Sequence, residues 1–323
     1  EIASCLVGSE MCIRDRLYII MNKEKRRQAM KPIDNVINYL PKDIKNVIET
    51  RSDKDKITEI RLRINRPLEV KFRCSCCFID KIIVTKTTIK EIMDKICNYS
   101  LYAYEDDIKR GFITVKGGNR VGICGKAVIE NGHVTTLKNI SSLNIRVANE
   151  IKGCGEQYIK YITDNNSICN TIIVSPPGCG KTTLLRDIIR LLSDGYGNRG
   201  FNISVIDERN EISATDLGIP ENDVGMRTDV MINNKTEGII MALRSMAPEI
   251  IAVDEIGSDK DINVLNKAIT CGCKILASIH ADNLEEYMQK NIQFFKRIII
   301  LSKKNGPGTL EGIYNERGEQ IDA

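Results

Sequence analysis

The stretch Ser175-Pro176-Pro177-Gly178-Cys179-Gly180-Lys181-Thr182 decides the fold. It follows the apolar run Thr171-Ile172-Ile173-Val174 and opens a helical pattern through Thr183, Leu184 and Leu185. Glycines leave backbone amides exposed, a helix start is electropositive, a lysine suits outer phosphates, and a threonine hydroxyl suits magnesium. Strand, loop and helix in that order form the P-loop of a nucleoside triphosphatase. The candidate phosphate-binding set is Ser175, Pro176, Pro177, Gly178, Cys179, Gly180, Lys181, Thr182 and Thr183, with ATP and Mg2+ as the implied ligands. Ser175 stands where the motif usually has its first glycine. It is read as altering the loop without removing the part that contacts phosphate.

Downstream, Ile250-Ile251-Ala252-Val253-Asp254-Glu255 is an apolar strand that runs into two carboxylates, a Walker B pattern. Asp254 is the candidate for the magnesium shell together with Thr182, and Glu255 for polarising the attacking water. Alone, two acids after a strand more often cap a helix or face solvent. His280, one of only two histidines, ends the apolar run 274–279. Ligands of a parallel sheet sit at the carboxyl ends of its strands, which makes His280 a candidate for sensing phosphate or for catalysis. Val205-Ile206-Asp207-Glu208 is another strand that meets acids at that edge; Glu208 is a candidate there, and Arg227 and Arg244 are read as nearby cations. His133, in an Asn-Gly-His turn, is read as structural.

Elsewhere, the 323 residues suffice for two domains with their own cores. The apolar positions of 33–48 recur at helical spacing, split by Pro41. Alternation over 58–64 and 68–72 predicts strands, 87–97 a helix, and 111–115, 121–129 and 134–137 hairpin strands around Gly-rich turns. This predicts an α+β domain over 21–150. Residues 151–155 read as a linker. From 157 onward, helices alternate with short apolar strands, which predicts a RecA-like α/β domain over 151–323 with a mainly parallel sheet. Residues 1–20 start without Met and read as a non-native leader, with the protein beginning at Met21.

With 47 basic and 43 acidic residues, the net charge is only +4; aromatics make up 5% of the chain and Trp is absent. These values argue against a dedicated nucleic-acid binder. No apolar run approaches the ~20 residues a membrane helix needs. The cluster Lys23, Lys25, Arg26, Arg27 reads as a solvated terminus rather than a membrane anchor. Twelve cysteines scattered through the chain read as reduced thiols. Cys74-Ser75-Cys76-Cys77 has one CxxC spacing, but neither a second CxxC nor a histidine cluster completes a zinc set.

Several longer stretches carry a resemblance. They are Gly118-Asn119-Arg120-Val121-Gly122-Ile123-Cys124-Gly125, Ile140-Ser141-Ser142-Leu143-Asn144-Ile145-Arg146, Gly225-Met226-Arg227-Thr228-Asp229-Val230, Arg244-Ser245-Met246-Ala247-Pro248-Glu249 and Gly306-Pro307-Gly308-Thr309-Leu310-Glu311-Gly312-Ile313. Through them the chain, over about residues 30 to 316, resembles the ATPases of type II and type IV secretion and pilus systems, and more closely a sporulation branch of them. The resemblance implies that 278–281 is a histidine box, that 207–211 is an aspartate box, and that Glu255 is the general base. It also implies that Arg120 and Arg146 are N-domain cations for the phosphates. It further implies a homo-oligomer, a hexameric ring, that is cytoplasmic and docked on membrane proteins of a sporulation channel. Two features depart from the family pattern, Ser175 and a short segment over 282–296. A nucleotide-dependent nucleic-acid binder and a non-hydrolysing nucleotide-gated scaffold are the competing readings.

Overall fold

The computed structural model describes residues 31–72, 75–100, 104–130, 132–148, 150–164, 167–197 and 199–321. The expectations for residues 1–20, the basic cluster 23–27, Cys74 and the His133 side chain lie outside what is described. The chain divides into two units, the first ending at Ala148.

In the first unit, Pro41 separates helices Pro32–Tyr39 and Lys42–Glu49, as its missing N–H and fixed φ require. Strands β1 (Ile57–Arg63), β2 (Pro67–Phe72), β3 (Cys76–Ile83), β4 (Phe112–Val115), β5 (Asn119–Glu130) and β6 (His133–Arg146) form an antiparallel sheet in the order β3-β2-β1-β6-β5-β4. Helix Lys86–Ile96 contributes Ile89, Ile92, Met93 and Ile96 to the core, beside Ile60 and Leu62 of β1. The cysteines at 76 and 77 lie on β3, opposite Lys71 and Val70 of β2. Asn119 is fully buried and ties this unit together. Its Nδ2 donates to Pro32 O at 3.0 Å and Lys116 O at 2.8 Å, and its Oδ1 accepts from Ala148 N at 2.9 Å. That accounts for the asparagine in the Gly118-Asn119-Arg120 stretch.

The second unit begins with helix Glu156–Ile162 and the short hairpin β7 (Thr163–Asp164) and β8 (Ser167–Ile168). The residues read as a linker are tethered: Gly155 N donates to buried Asp187 Oδ2 at 2.7 Å. The main strands are β9 (Thr171–Ser175), β10 (Ile203–Ile206), β13 (Thr228–Met231), β14 (Ile250–Val253), β15 (Lys274–His280), β16 (Arg297–Ser302) and β17 (Thr309–Tyr314); the ribbon β11 (Thr215–Asp216) and β12 (Ile219–Pro220) lies apart. The order is β13-β10-β14-β15-β9-β16-β17, parallel throughout except β16 against β17. The mainly parallel sheet expected from the sequence is present.

Side chains alternate to the two faces, as the strand period dictates. Ile173, Ile250, Ala252 and Leu276 pack with helix Lys181–Asp194, whereas Ile172, Val174, Ile251, Val253 and Ile275 face helices Lys235–Ser245 and Asp259–Thr270. Burying each large aliphatic side chain is worth about 1.5–3 kcal/mol. The three such residues of β9 therefore hold the strand centrally and set where its loop emerges. The short segment 282–296 carries helix Leu284–Gln289 and is anchored by Tyr287 and Phe295, each 1% exposed.

Candidate nucleotide site

β9 ends at Ser175 and Gly180 is the N-cap of helix Lys181–Asp194, so the P-loop crosses the carboxyl edge of the sheet. Gly178 and Gly180 have φ of +72° and +89°, the left-handed region that penalises a Cβ. Helices Lys235–Ser245, Asp259–Thr270 and Leu284–Gln289 each have a side-chain cap and acids in the first turn. The P-loop helix has neither. Its first amides and the positive end of its dipole are left for an anion.

Lys181 is 5% exposed. Its Nζ donates to Ser175 O at 3.2 Å and Pro176 O at 3.4 Å and lies 2.9 Å from His280 Nδ1. Burial pulls this lysine below its ordinary value, while Asp254 and Glu255 pull it back up. Ser175 acts on Lys181 through its backbone carbonyl, and its hydroxyl turns to Pro176 O at 2.9 Å. A glycine in its place would offer the same carbonyl.

His280 lies directly across from Ser175 in the β15–β9 register. An ammonium only donates, so Nδ1 accepts and the ring proton sits on Nε2, which donates to Glu255 Oε1 at 2.9 Å. Arg209, in the loop after β10, closes an ion pair on the other oxygen of Glu255. Glu255 has φ of +51°, a strained conformation for a non-glycine residue. The Ser278 hydroxyl accepts from Glu255 N at 2.9 Å and donates to Asp254 Oδ1. One buried serine on β15 thus braces both acids. Thr182 Oγ1 donates to Asp254 Oδ2 at 2.7 Å.

Other candidates lie elsewhere or are engaged. Glu208 pairs with Lys235 Nζ at 2.5 Å. Both oxygens of Asp207 are taken by its own loop: Oδ1 accepts from Glu211 N at 2.9 Å, and Oδ2 from Ser213 N at 2.8 Å and Ser213 Oγ at 2.7 Å. Arg186, which sequence reasoning passed over, clamps the same loop by donating to Ile212 O at 2.5 Å and Glu211 O at 2.6 Å. Burial lowers its pKa, and Glu150, Asp207 and Asp254 oppose that shift.

Arg227, read from sequence as a cation near the acids, packs instead at the far end of the P-loop helix. Its Nη1 donates to Ser193 O at 2.9 Å, and a Cβ on Gly225 would lie 2.5 Å from that of Ser193. At 1.5 Å per residue, the 14-residue helix puts Arg227 about 20 Å from the loop. Arg120 and Arg146 are direct cross-strand partners on β5 and β6, and the Arg120 guanidinium stacks 3.4 Å from the Phe112 ring centroid.

A family model described as Sporulation stage III, protein AA matches residues 28–321. The curated Stage III sporulation protein AA of Bacillus subtilis (strain 168) is 36% identical over 300 residues, spanning 90% of this chain and 97% of that protein. The ATPase DotB of Legionella pneumophila shares the fold with a TM-score of 0.55 at 15% identity, over 84% of this chain and 77% of DotB. The pilus retraction motor PilT, solved with bound ADP, does so with 0.55 at 14% identity, over 84% and 78%. The fold is therefore the RecA-like fold of secretion ATPases, preceded by an α+β unit.

Proposed function

The chain belongs to the sporulation stage III protein AA family, and we propose that it binds and hydrolyses ATP as a secretion-type motor serving a sporulation-associated channel or assembly at the membrane. One observation carries the hydrolytic reading. Lys181, His280 and Glu255 form an unbroken hydrogen-bonded chain beside the Thr182–Asp254 pair.

In this reading the amides of 178–182 and Lys181 bind the phosphates, and Glu255 takes the proton of the attacking water as in-line transfer proceeds. His280 positions Glu255 and connects it to the lysine that holds the phosphates. Two hard oxygen donors already within hydrogen-bond reach, Thr182 and Asp254, fit Mg2+ directly or through water. When bound, the ion supplies charge neutralisation at the phosphate oxygens. Glu208, engaged by Lys235, is a subsidiary acid for ordering water. Arg120 and Arg146 are further proposed cations for the nucleotide, on the strength of the resemblance.

We extend the proposal to a homo-oligomeric, hexameric ring acting at the cytoplasmic face through membrane partners, as the likeness to secretion ATPases suggests. Among the described residues, no helix is long and apolar enough to cross a membrane. Phosphate release and molar mass, measured together with and without ATP for wild type and Lys181→Ala, test the reading. Mg2+-dependent turnover that is lost in the variant supports it. A folded wild type that releases no phosphate contradicts it.

A further inference from the structure

The stretch Gly306–Ile313 takes no part in the site as described so far, yet the loop that leads into it, between β16 and β17, lies on the P-loop. Gly308 N donates to Cys179 O at 2.8 Å, and a Cβ on Gly180 would come within 3.6 Å of the Gly308 nitrogen. The loop is held in one shape by its own bonds. Gly306 N donates to Lys303 O at 3.0 Å, Thr309 Oγ1 donates to Gly306 O at 2.7 Å, and Asn305 N donates to Thr309 Oγ1 at 3.2 Å. Gly306 and Gly308 have φ of +109° and +89°, which permits the tight return.

The two lysines of this loop differ in their surroundings. Lys304 Nζ lies 3.5 Å from Glu311 Oε2, and the Ser302 hydroxyl, 2.5 Å from Glu311 Oε1, fixes that carboxylate. The Lys303 side chain makes no hydrogen bond or ion pair among the described residues. Its ammonium sits over the P-loop instead, where a Cβ on Gly178 would lie 3.1 Å from Nζ. It is close enough to Lys181 to add to the lowering of that lysine's pKa. An exposed, unpaired lysine gains by turning into water and away from a second cation. The arrangement suits an anion lying along 178–182 between the two ammonium groups.

We propose that Lys303 is a phosphate-binding cation of this site, reaching from the β16–β17 loop across Gly178 to the outer phosphates of a bound nucleoside triphosphate. The inference rests on the nucleotide-binding reading above and adds to it a source of preference for triphosphate over diphosphate. A cation above the loop meets more negative charge when the third phosphate is present. The Gly308–Cys179 bond already holds the backbone of this loop on the P-loop, so little backbone ordering is left to be lost when Lys303 meets the phosphates.

The experiment is a titration of the full-length protein with ATP and with ADP, both with Mg2+, for wild type, Lys303→Ala, Lys303→Arg, Lys304→Ala and Lys181→Ala. Losing one charge-assisted phosphate contact should weaken ATP binding by about tenfold or more in Lys303→Ala. ADP binding should weaken less, Lys303→Arg should retain most of the affinity, and Lys304→Ala should match wild type. Circular dichroism and the melting temperature of Lys303→Ala should be unchanged, because no protein partner is lost. Lys303→Ala that binds ATP as wild type does, while Lys181→Ala does not, overturns this inference alone. So does an equal loss in Lys304→Ala, which would mean only a general charge effect. A folded wild type that binds neither nucleotide overturns the nucleotide reading, and this inference with it.

Discussion

Thr182 Oγ1 donates to Asp254 Oδ2 at 2.7 Å, linking the first turn of the P-loop helix to the end of β14. The carboxylate is braced from its other side by Ser278, so its two oxygens are already oriented. Asp254→Asn keeps the shape but removes the charge that attracts a divalent cation. The Mg2+ concentration needed for half-maximal ATP turnover should rise by about 10- to 100-fold. Titrating Mg2+ at fixed ATP checks this, and an unchanged midpoint would remove Asp254 from the metal site.

His280 touches both the phosphate-side lysine and the acid proposed as base. Its replacement should therefore act on turnover more than on binding. His280→Ala is expected to lower kcat by on the order of a hundredfold with ATP affinity nearly unchanged. His280→Gln, which retains one acceptor and one donor, should recover part of that loss. A parallel drop in affinity for both variants would mean that the histidine supports the loop rather than the reaction.

Two thiols give the fold a pH dependence. Burial pushes Cys97 from 9.0 up to about 11, with Asp94 and Asp107 adding to the shift. Cys154 is pushed from 9.0 to about 11 by burial, with Asp187 adding. The folded pKa lies above the unfolded one, so the stabilisation is complete below 9.0 and is lost as pH rises through about 11. Urea midpoints read by far-UV circular dichroism should fall across that window. The fall should be shallower in Cys97→Ala and in Cys154→Ala; slopes equal to wild type would show that these thiols ionise alike in both states.

What was legible in the sequence follows the range of each interaction. The P-loop, the strand that runs into Asp254 and Glu255, and His280 at the end of another apolar run are local patterns, and the parallel sheet brings them to one edge. Ser278, Arg186, Arg209 and Lys303 meet the site only through pairings across the fold, which no spacing encodes. Arg227 shows the reverse error. Its stretch is read from sequence as near the acids, but its glycine is needed for close packing on Ser193 and its arginine for a helix-end carbonyl. β3 carries no strand signal in the sequence, because its positions are exposed or half-buried apart from Ile82 and no apolar alternation marks them.

If Glu255 removes a proton from water beside the terminal phosphate, single-turnover phosphate release from ATP must depend on its carboxylate, which Glu255→Gln removes. Gln is nearly isosteric and still accepts the His280 proton but is not a base. ATP binding should stay close to wild type, with the hydrolytic step slowed by about 10²-fold or more. Phosphate release from the Gln variant at the wild-type rate would contradict the role of Glu255 as base.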